Sequence, residues 1–386
     1  MVGEGSVDVD VPCVRARAYE TGGYVSLSLK TQLNLYTARR GTGDVEGRGR
    51  LPKHTLQQKV LVAKTDVEMA NPHHDFITTM STMGINFIVM FTLLFTTWSL
   101  CTSTPTPSHR WFADAATHPT VHATERWFLQ YGVVWILSFG VVVLFELYAT
   151  WNATALLLFM FSLALPMYLQ PFLFPTLTSD HKTPALERFS LRANVWMGIF
   201  GFVGNYWYTH YFYSVLHAHY TMPSYDLNGV PIPMFFATHF YFCFYHAIGN
   251  CVIRRIVTGF TPSIQKNMFL GLAVLCMSYT TAFMETLTIA GYKCYEFDNF
   301  HHAATVGSLF YAIYFIVSFP MFYYFSNQTP DSTSWFGCIV QSLATSMCVL
   351  CMLDFVRVWL GQDLVVHLMR PCKLNATLSC YGNDVC

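Results

Sequence analysis

Hydrophobic residues in this chain fall in long blocks rather than in alternation. Stretches 76–109, 127–145, 147–179, 193–225, 227–253, 299–330 and 332–353 carry no Asp, Glu, Lys or Arg. A helix needs about 20 apolar residues to cross the ~30 Å hydrocarbon layer of a bilayer. The pattern therefore predicts spans near 83–101, 127–149, 153–174, 192–216, 233–253, 268–290, 304–325 and 336–360. Pro166, Pro171 and Pro175 are expected to bend or end the third, and Pro320 to kink the seventh. Membrane helices tolerate this where neighbours satisfy the freed carbonyls. The expected fold is all-α, a polytopic integral membrane helical bundle of seven or eight spans.

Composition agrees. The 386 residues are 53% hydrophobic, 17% aromatic and 11% charged, against about 25% charged in an average soluble domain. Lys+Arg 22 balance Asp+Glu 22, so there is no basic surplus and a nucleic-acid partner is excluded. The 12 Cys lie mostly inside apolar runs, unlike a disulfide scaffold. Residues 1–75 differ: they hold ten of the 22 basic residues and nine acidic ones. They read as a disordered N-terminal extension, with no signal-peptide pattern. A targeting or regulatory segment, or a start at Met69, Met80 or Met83, is the alternative. Segment 76–110 is a first hydrophobic stretch whose crossing is undecided, 111–361 is the membrane domain, and 362–386 is a Cys-containing tail.

Basic residues set the orientation. Lys182, Arg188 and Arg192, then Arg254, Arg255 and Lys266, then Arg110 and Arg126 fall on one face. Lys293, Arg357, Arg370 and Lys373 fall on the other. The richer face is assigned to the cytosol and the C-terminal tail to the lumen, where a Cys372–Cys380 bridge is expected. A crossing at 83–101 would place residues 1–75 and the Arg110/Arg126 loop on opposite sides; a re-entrant or surface-lying segment would not.

Polar groups inside spans are costly and mark function by default. Glu285 stands on one helical stripe with Ser278, Thr281 and Thr288. His239, Cys243, His246 and Asn250 form a second stripe; Asn194, Asn205, Thr209 and His210 are on the preceding span. Stripes on three consecutive spans imply a polar cavity between them, although each histidine alone reads first as a helix-to-helix hydrogen bond. Asp354 and Arg357 are expected to pair across one turn, and Glu146 to lie at a solvated span end. Cys348 and Cys351 read as packing residues. No histidine box, P-loop or GxGxxG is present, and there is no CxxC or CxxH clamp outside the membrane spans, so no metal site is expected. Trp207, Tyr208 and Tyr211 crowd around His210, as packing or as π faces able to stabilise a cation.

Several ordered motifs then carry a resemblance: RANVW at 192–196, GNYWYTHYF at 204–212, YTMP at 220–223, THFYFCFYH at 238–246, the pair Arg254-Arg255, ETLTIAGYKCYEF at 285–297, VGSLFYAIYFIVSFPMF at 306–322 and LDFVRVWLG at 353–361. Over roughly 127–361 the chain resembles the cycloeucalenol cycloisomerase family. That resemblance implies a multi-pass enzyme of the endoplasmic reticulum membrane in sterol biosynthesis. It would convert a 9β,19-cyclopropyl sterol, cycloeucalenol, to the Δ8 sterol obtusifoliol, with the sterol and membrane lipid as partners and protein partners unknown.

Such a reaction adds a proton at C19, develops positive charge at C9 and loses a proton from C8. It needs an acid, a base on the same face of the sterol and a cation stabiliser, and no cofactor. On this reading Glu285 is the acid. His246, His239 and His210 are candidates for the base, and Trp207, Tyr208 and Tyr211 for cation stabilisation. Asn205 or Thr209 would bind the 3-hydroxyl. A sterol-binding or transport protein without chemistry is the alternative; a metal-dependent membrane hydroxylase is a more distant one.

Overall fold

The computed structural model describes residues 72–104, 110–290, 294–328 and 334–364, with 19–21 and 24–26. The chain divides into two units, Met1–Ala70 and Asn71–Cys386. In the first, β1 (Tyr19–Thr21) and β2 (Tyr24–Ser26) pair antiparallel, Tyr19 opposite Ser26. The rest of the N-terminal extension and the tail cysteines lie outside the described residues.

The second unit is a helical bundle. Its long helices are α1 (Pro72–Ser99), α2 (Pro119–Leu144), α3 (Ala153–Leu173) and α4 (Phe189–Val203). The last continues through a π-helical turn, Gly204–Tyr208, into α5 (Thr209–Leu216). Then come α6 (Ile232–Gly259) and α7 (Ile264–Ala290). The short α8 (Phe300–His302) leads through a second π turn, Ala303–Gly307, into α9 (Ser308–Ser326), and α10 (Trp335–Trp359) closes the set. Local chemistry sets these starts. Pro119 and Pro233 occupy first-turn positions, where the missing N–H costs nothing. The side chains of Asn152 and Ser334 accept from Ala155 N and Gly337 N.

Six of these segments are long and apolar enough to cross a membrane: Phe76–Ser99, Pro119–Leu144, Ala153–Leu173, Ile264–Ile289, Phe300–Ser326 and Trp335–Trp359. Two predicted spans fall short. Both the stretch near 192–216, with Arg192, Asn194, Asn205 and His210, and α6 carry too many polar residues for their length. The first hydrophobic segment is a regular helix; Met83 packs it on Tyr279, Ala282 and Phe283 of α7. Glu146 lies outside α2, in a left-handed conformation with φ of 48°. Helix α3 continues unbroken through Pro166 and Pro171 and stops just before Pro175. Tyr131 donates to Leu163 O in the turn before Pro166, and Arg188 to Pro171 O. Cys348 and Cys351 are exposed on α10 rather than packed. An apolar outer surface fits them to lipid.

Helix α9 sits centrally, touching α6, α7 and α10, while α2, α3 and α4 pack on α6. Trp196, Phe200, Phe315, Phe319 and Phe322 are fully or almost fully buried between α4, α6 and α9. Two small strand pairings finish the ends of this unit. β3 (Ala218–Tyr220) pairs with β6 (Tyr295–Phe297), Ala218 opposite Phe297. β4 (Asp226–Leu227) and β5 (Val230–Pro231) form a hairpin. Its turn is Asn228-Gly229, both at positive φ (54° and 68°), the conformation a tight two-residue hairpin requires.

Candidate active site

A cleft of about 600 Å³, counted to its open mouth, lies between the π turn at 204–208, α5, α6, α7 and α9, with β3 and β6 at one end. Its polar lining is Asn205, Thr209, Thr238, Glu285 and Thr286, and its aromatic lining includes Tyr220, Phe242, Tyr295, Tyr311 and Tyr314. The enclosed part is only about 60 Å³, well below the ~300–1,000 Å³ usual for small-molecule sites, so a large ligand would extend through the mouth.

Two features of the backbone build it. The π turn widens the helix by one residue, as such turns do at functional sites, and brings Gly204, Asn205 and Thr209 to the cleft wall. Asn228 at the β4–β5 turn holds that widened turn by donating from Nδ2 to Tyr206 O at 2.7 Å and to His210 Nε2 at 3.0 Å. Asn205 uses both its N–H groups within the wall, on Gly201 O (2.8 Å) and Thr238 Oγ1 (2.7 Å). Its carbonyl oxygen is thereby left as an acceptor.

Glu285 is the sole carboxylate among the described residues lining the cleft. Tyr311 donates to its Oε2 at 3.0 Å; Oε1 has no protein partner among the described residues. The hydroxyls of Thr281 and Thr288 do not reach it. They turn back to Met277 O and Met284 O of their own helix. At the β3–β6 end, burial first, with Glu285 as a further cause, pushes the Tyr220 phenol above its ordinary range. Burial does the same to Tyr295. Both phenols therefore hold their protons at neutral pH.

Sequence reasoning thus placed Glu285, Asn205 and Thr209, and the structure brings these three together. The other candidates stand elsewhere. His246 is encircled by Trp196, Phe200, Phe315, Phe319 and Phe322, with Nδ1 on Phe242 O (2.7 Å) and Nε2 on Ser318 Oγ (2.8 Å). His239 donates from Nε2 to Asn194 Oδ1 at 2.9 Å and stacks on Tyr168. His210 is buried against the β4–β5 turn. Tyr208 is buried and donates to Ser346 O of α10. Tyr211 donates to Asp354 Oδ1. Trp207 is 45% exposed on the outer surface. The α6 stripe therefore serves as a set of interhelical bonds, one position round from the cleft-lining Thr238 and Phe242. Asp354 pairs with Arg357 at 2.8 Å. Among the described residues no three His, Cys, Asp or Glu converge as a metal site would require.

Missed in sequence were Tyr311, Tyr314, Tyr220 and Tyr295. The signal was present as YAIY at 311–314 in an apolar run, where hydroxyls at i and i+3 share one face; nothing local says which face meets Glu285.

The chain is 38% identical, over 282 residues, to the curated protein "Cycloeucalenol cycloisomerase" of Arabidopsis thaliana, a match covering 72% of this chain and 96% of that protein. The chain belongs to the cycloeucalenol cycloisomerase family. No protein-family model matches it, and no solved structure does. For a cycloeucalenol cycloisomerase family member, a cleft with one carboxyl among aromatic rings is a chemically apt setting: an acid to give a proton, and π faces for the charge that follows.

Proposed function

We propose that this chain is a sterol-biosynthetic isomerase that opens the 9β,19-cyclopropane of cycloeucalenol-type sterols to the Δ8 sterol obtusifoliol. Family membership supports the reaction, and the single carboxyl of the cleft carries the residue assignment. Glu285 is the proton donor. Its free Oε1 faces the space a sterol would fill, among rings of Tyr311, Tyr314 and Phe242 that can stabilise charge at C9. The Asn205 carbonyl oxygen accepts from the 3-hydroxyl, with Thr209 beside it. The test is direct: membranes containing the protein are incubated with cycloeucalenol without added NADPH. Obtusifoliol is expected. Sterol bound and returned unchanged would favour a binding protein instead.

We further propose eight crossings in the endoplasmic reticulum membrane, adding α4–α5 and α6 to the six apolar helices. What supports this is the meeting of alternate connections. Thr104 N donates to Gly259 O, and Trp335 Nε1 to Leu186 O, at one end; β3 pairs β6, and Thr154 bonds Tyr225, at the other. Helices surrounded by protein need not be apolar all round. The end bearing Lys182 and Arg254 is cytosolic. A cysteine placed at Lys182, in a background lacking other exposed Cys, should react with an impermeant thiol reagent in sealed, cytosol-side-out vesicles. Reaction only after permeabilisation would reverse the orientation.

A further inference from the structure

We infer that Glu285 performs both proton transfers of the reaction, and that Tyr311 reserves one carboxyl oxygen for the task. The inference rests on the reading of the chain as a cyclopropane-opening isomerase. A general base must lie within hydrogen-bond reach of the proton it takes. Among the described residues of the cleft wall there is one carboxyl and no imidazole. His246 has both ring nitrogens engaged behind the wall, His239 is bonded to Asn194 and stacked on Tyr168, and His210 is bonded to Asn228. Tyr220 and Tyr295 hold their protons. The group left after the first step is the Glu285 carboxylate itself, newly formed and beside the cation.

The chemistry balances on that one group. The Glu285 carboxyl gives its proton to C19, the C9–C19 bond breaks, and its electron pair forms the C19–H bond. Charge resides at C9. The carboxylate then takes the proton from C8, and the C8–H electron pair becomes the C8=C9 double bond. Glu285 ends protonated, ready for the next sterol, and no proton is gained or lost overall. C19 and C8 are both bonded to C9 and both protons move on the same face, so a small swing of one carboxyl reaches each. The Tyr311 hydroxyl occupies Oε2 at 3.0 Å, so the proton leaves from and returns to Oε1. Tyr311 keeps its own proton and is a positioning residue.

This scheme has a consequence that separate acid and base residues do not share: hydrogen from C8 of one sterol molecule is handed to C19 of the next. With a sterol filling the cleft, water is displaced from Oε1. The experiment uses the full-length protein in vesicles, in ordinary water, with cycloeucalenol deuterated at C8, and mass spectrometry of the product. Deuterium on the C19 methyl is expected, in a fraction that rises with substrate concentration. Product whose C19 hydrogen comes wholly from water at every concentration overturns the inference while leaving the isomerase reading intact. Failure to form obtusifoliol at all overturns that reading instead. The Tyr311→Phe variant keeps the ring and removes the hydroxyl. We expect kcat to fall about tenfold or more, as for loss of a hydrogen bond to a charged group, with KM little changed and a smaller carried-over fraction. Unchanged kcat and unchanged carry-over would remove Tyr311 from the scheme.

Discussion

Glu125 and Glu285 are both carboxylates inside the helical bundle, and their surroundings are opposite. Glu125, 3% exposed on its side chain, accepts from Arg254 NH1 (2.8 Å) and Ala113 N (3.1 Å) on Oε2, and from Arg254 NH2 (2.7 Å) and Asn250 Nδ2 (3.0 Å) on Oε1. Two donors on each oxygen fill its acceptor capacity. The Arg254 guanidinium also reaches Trp111 O and lies over the Tyr323 ring. This carboxylate is a fixed anion that ties α2, α6 and the 110–114 loop together. Among the described residues Glu285 has a single donor, Tyr311, on a single oxygen. Burial alone would not separate a structural acid from the proton donor proposed for Glu285; the number of donors around each oxygen does, because a saturated carboxylate has no lone pair to offer a migrating proton.

The sharpest test of that contrast is Glu285→Gln, which keeps the shape and the bond to Tyr311 but removes the transferable proton. Turnover should fall about 10²–10⁴-fold, the usual worth of a general acid, with sterol binding largely kept. Turnover above about a tenth of wild type would show that Glu285 is not the acid. On the other side, Arg254→Ala strands Glu125 as an unpaired buried charge. A stability loss of about 3–5 kcal/mol is expected in unfolding measurements. The double change Glu125→Gln with Arg254→Met should recover much of it, since the loss comes from the stranded charge; a double variant as unstable as the single one would contradict this.

His246 offers a smaller test. His246→Gln should cost about 1–3 kcal/mol, the penalty of disturbing a buried hydrogen-bonded pair with Ser318. Its kcat should fall by far less than the ~10²-fold that removing a general base brings; a fall of that size in a folded variant would return His246 to the chemistry. The mildest effect is expected for Asn205→Ala. Losing one substrate hydrogen bond, worth about 0.5–1.5 kcal/mol, should raise the sterol KM by roughly tenfold or less with kcat nearly unchanged. A kcat loss without a KM change would place Asn205 near the reacting carbons instead of the 3-hydroxyl.

Much of this architecture is legible in the chain. The predicted segments fall on the long helices, because a charge-free run of bilayer length has few other ways to satisfy its backbone. Their ends were less legible. Helix α2 begins at Pro119, eight residues before the predicted span, because Glu125 has Arg254 to receive it and so can lie within a helix. The same long-range pairing hid Glu125 from the count of intramembrane acids. The polar stripe of α6 was readable as a stripe and not as a purpose: its groups point to Asn194, Ser318, Ser326 and Glu125 on three other helices.

The sequence by itself determined that the chain is a membrane-embedded helical protein, to which family its ordered motifs belong, and that Glu285 is an acid where acids are costly. Those properties are local, written in hydropathy, spacing and residue type. Only the tertiary structure decided that Glu285 meets Tyr311 rather than Thr281, Thr288 or a histidine, that Asn205 and Thr209 share its cleft while Tyr208, Tyr211 and Trp207 do not, and that His239 and His246 bond to neighbouring helices and His210 to the β4–β5 turn. Helical periodicity says which residues share a face. Which face meets which is settled by how α4, α6, α7 and α9 pack against one another, and a sequence pattern confined to one helix carries no information about that.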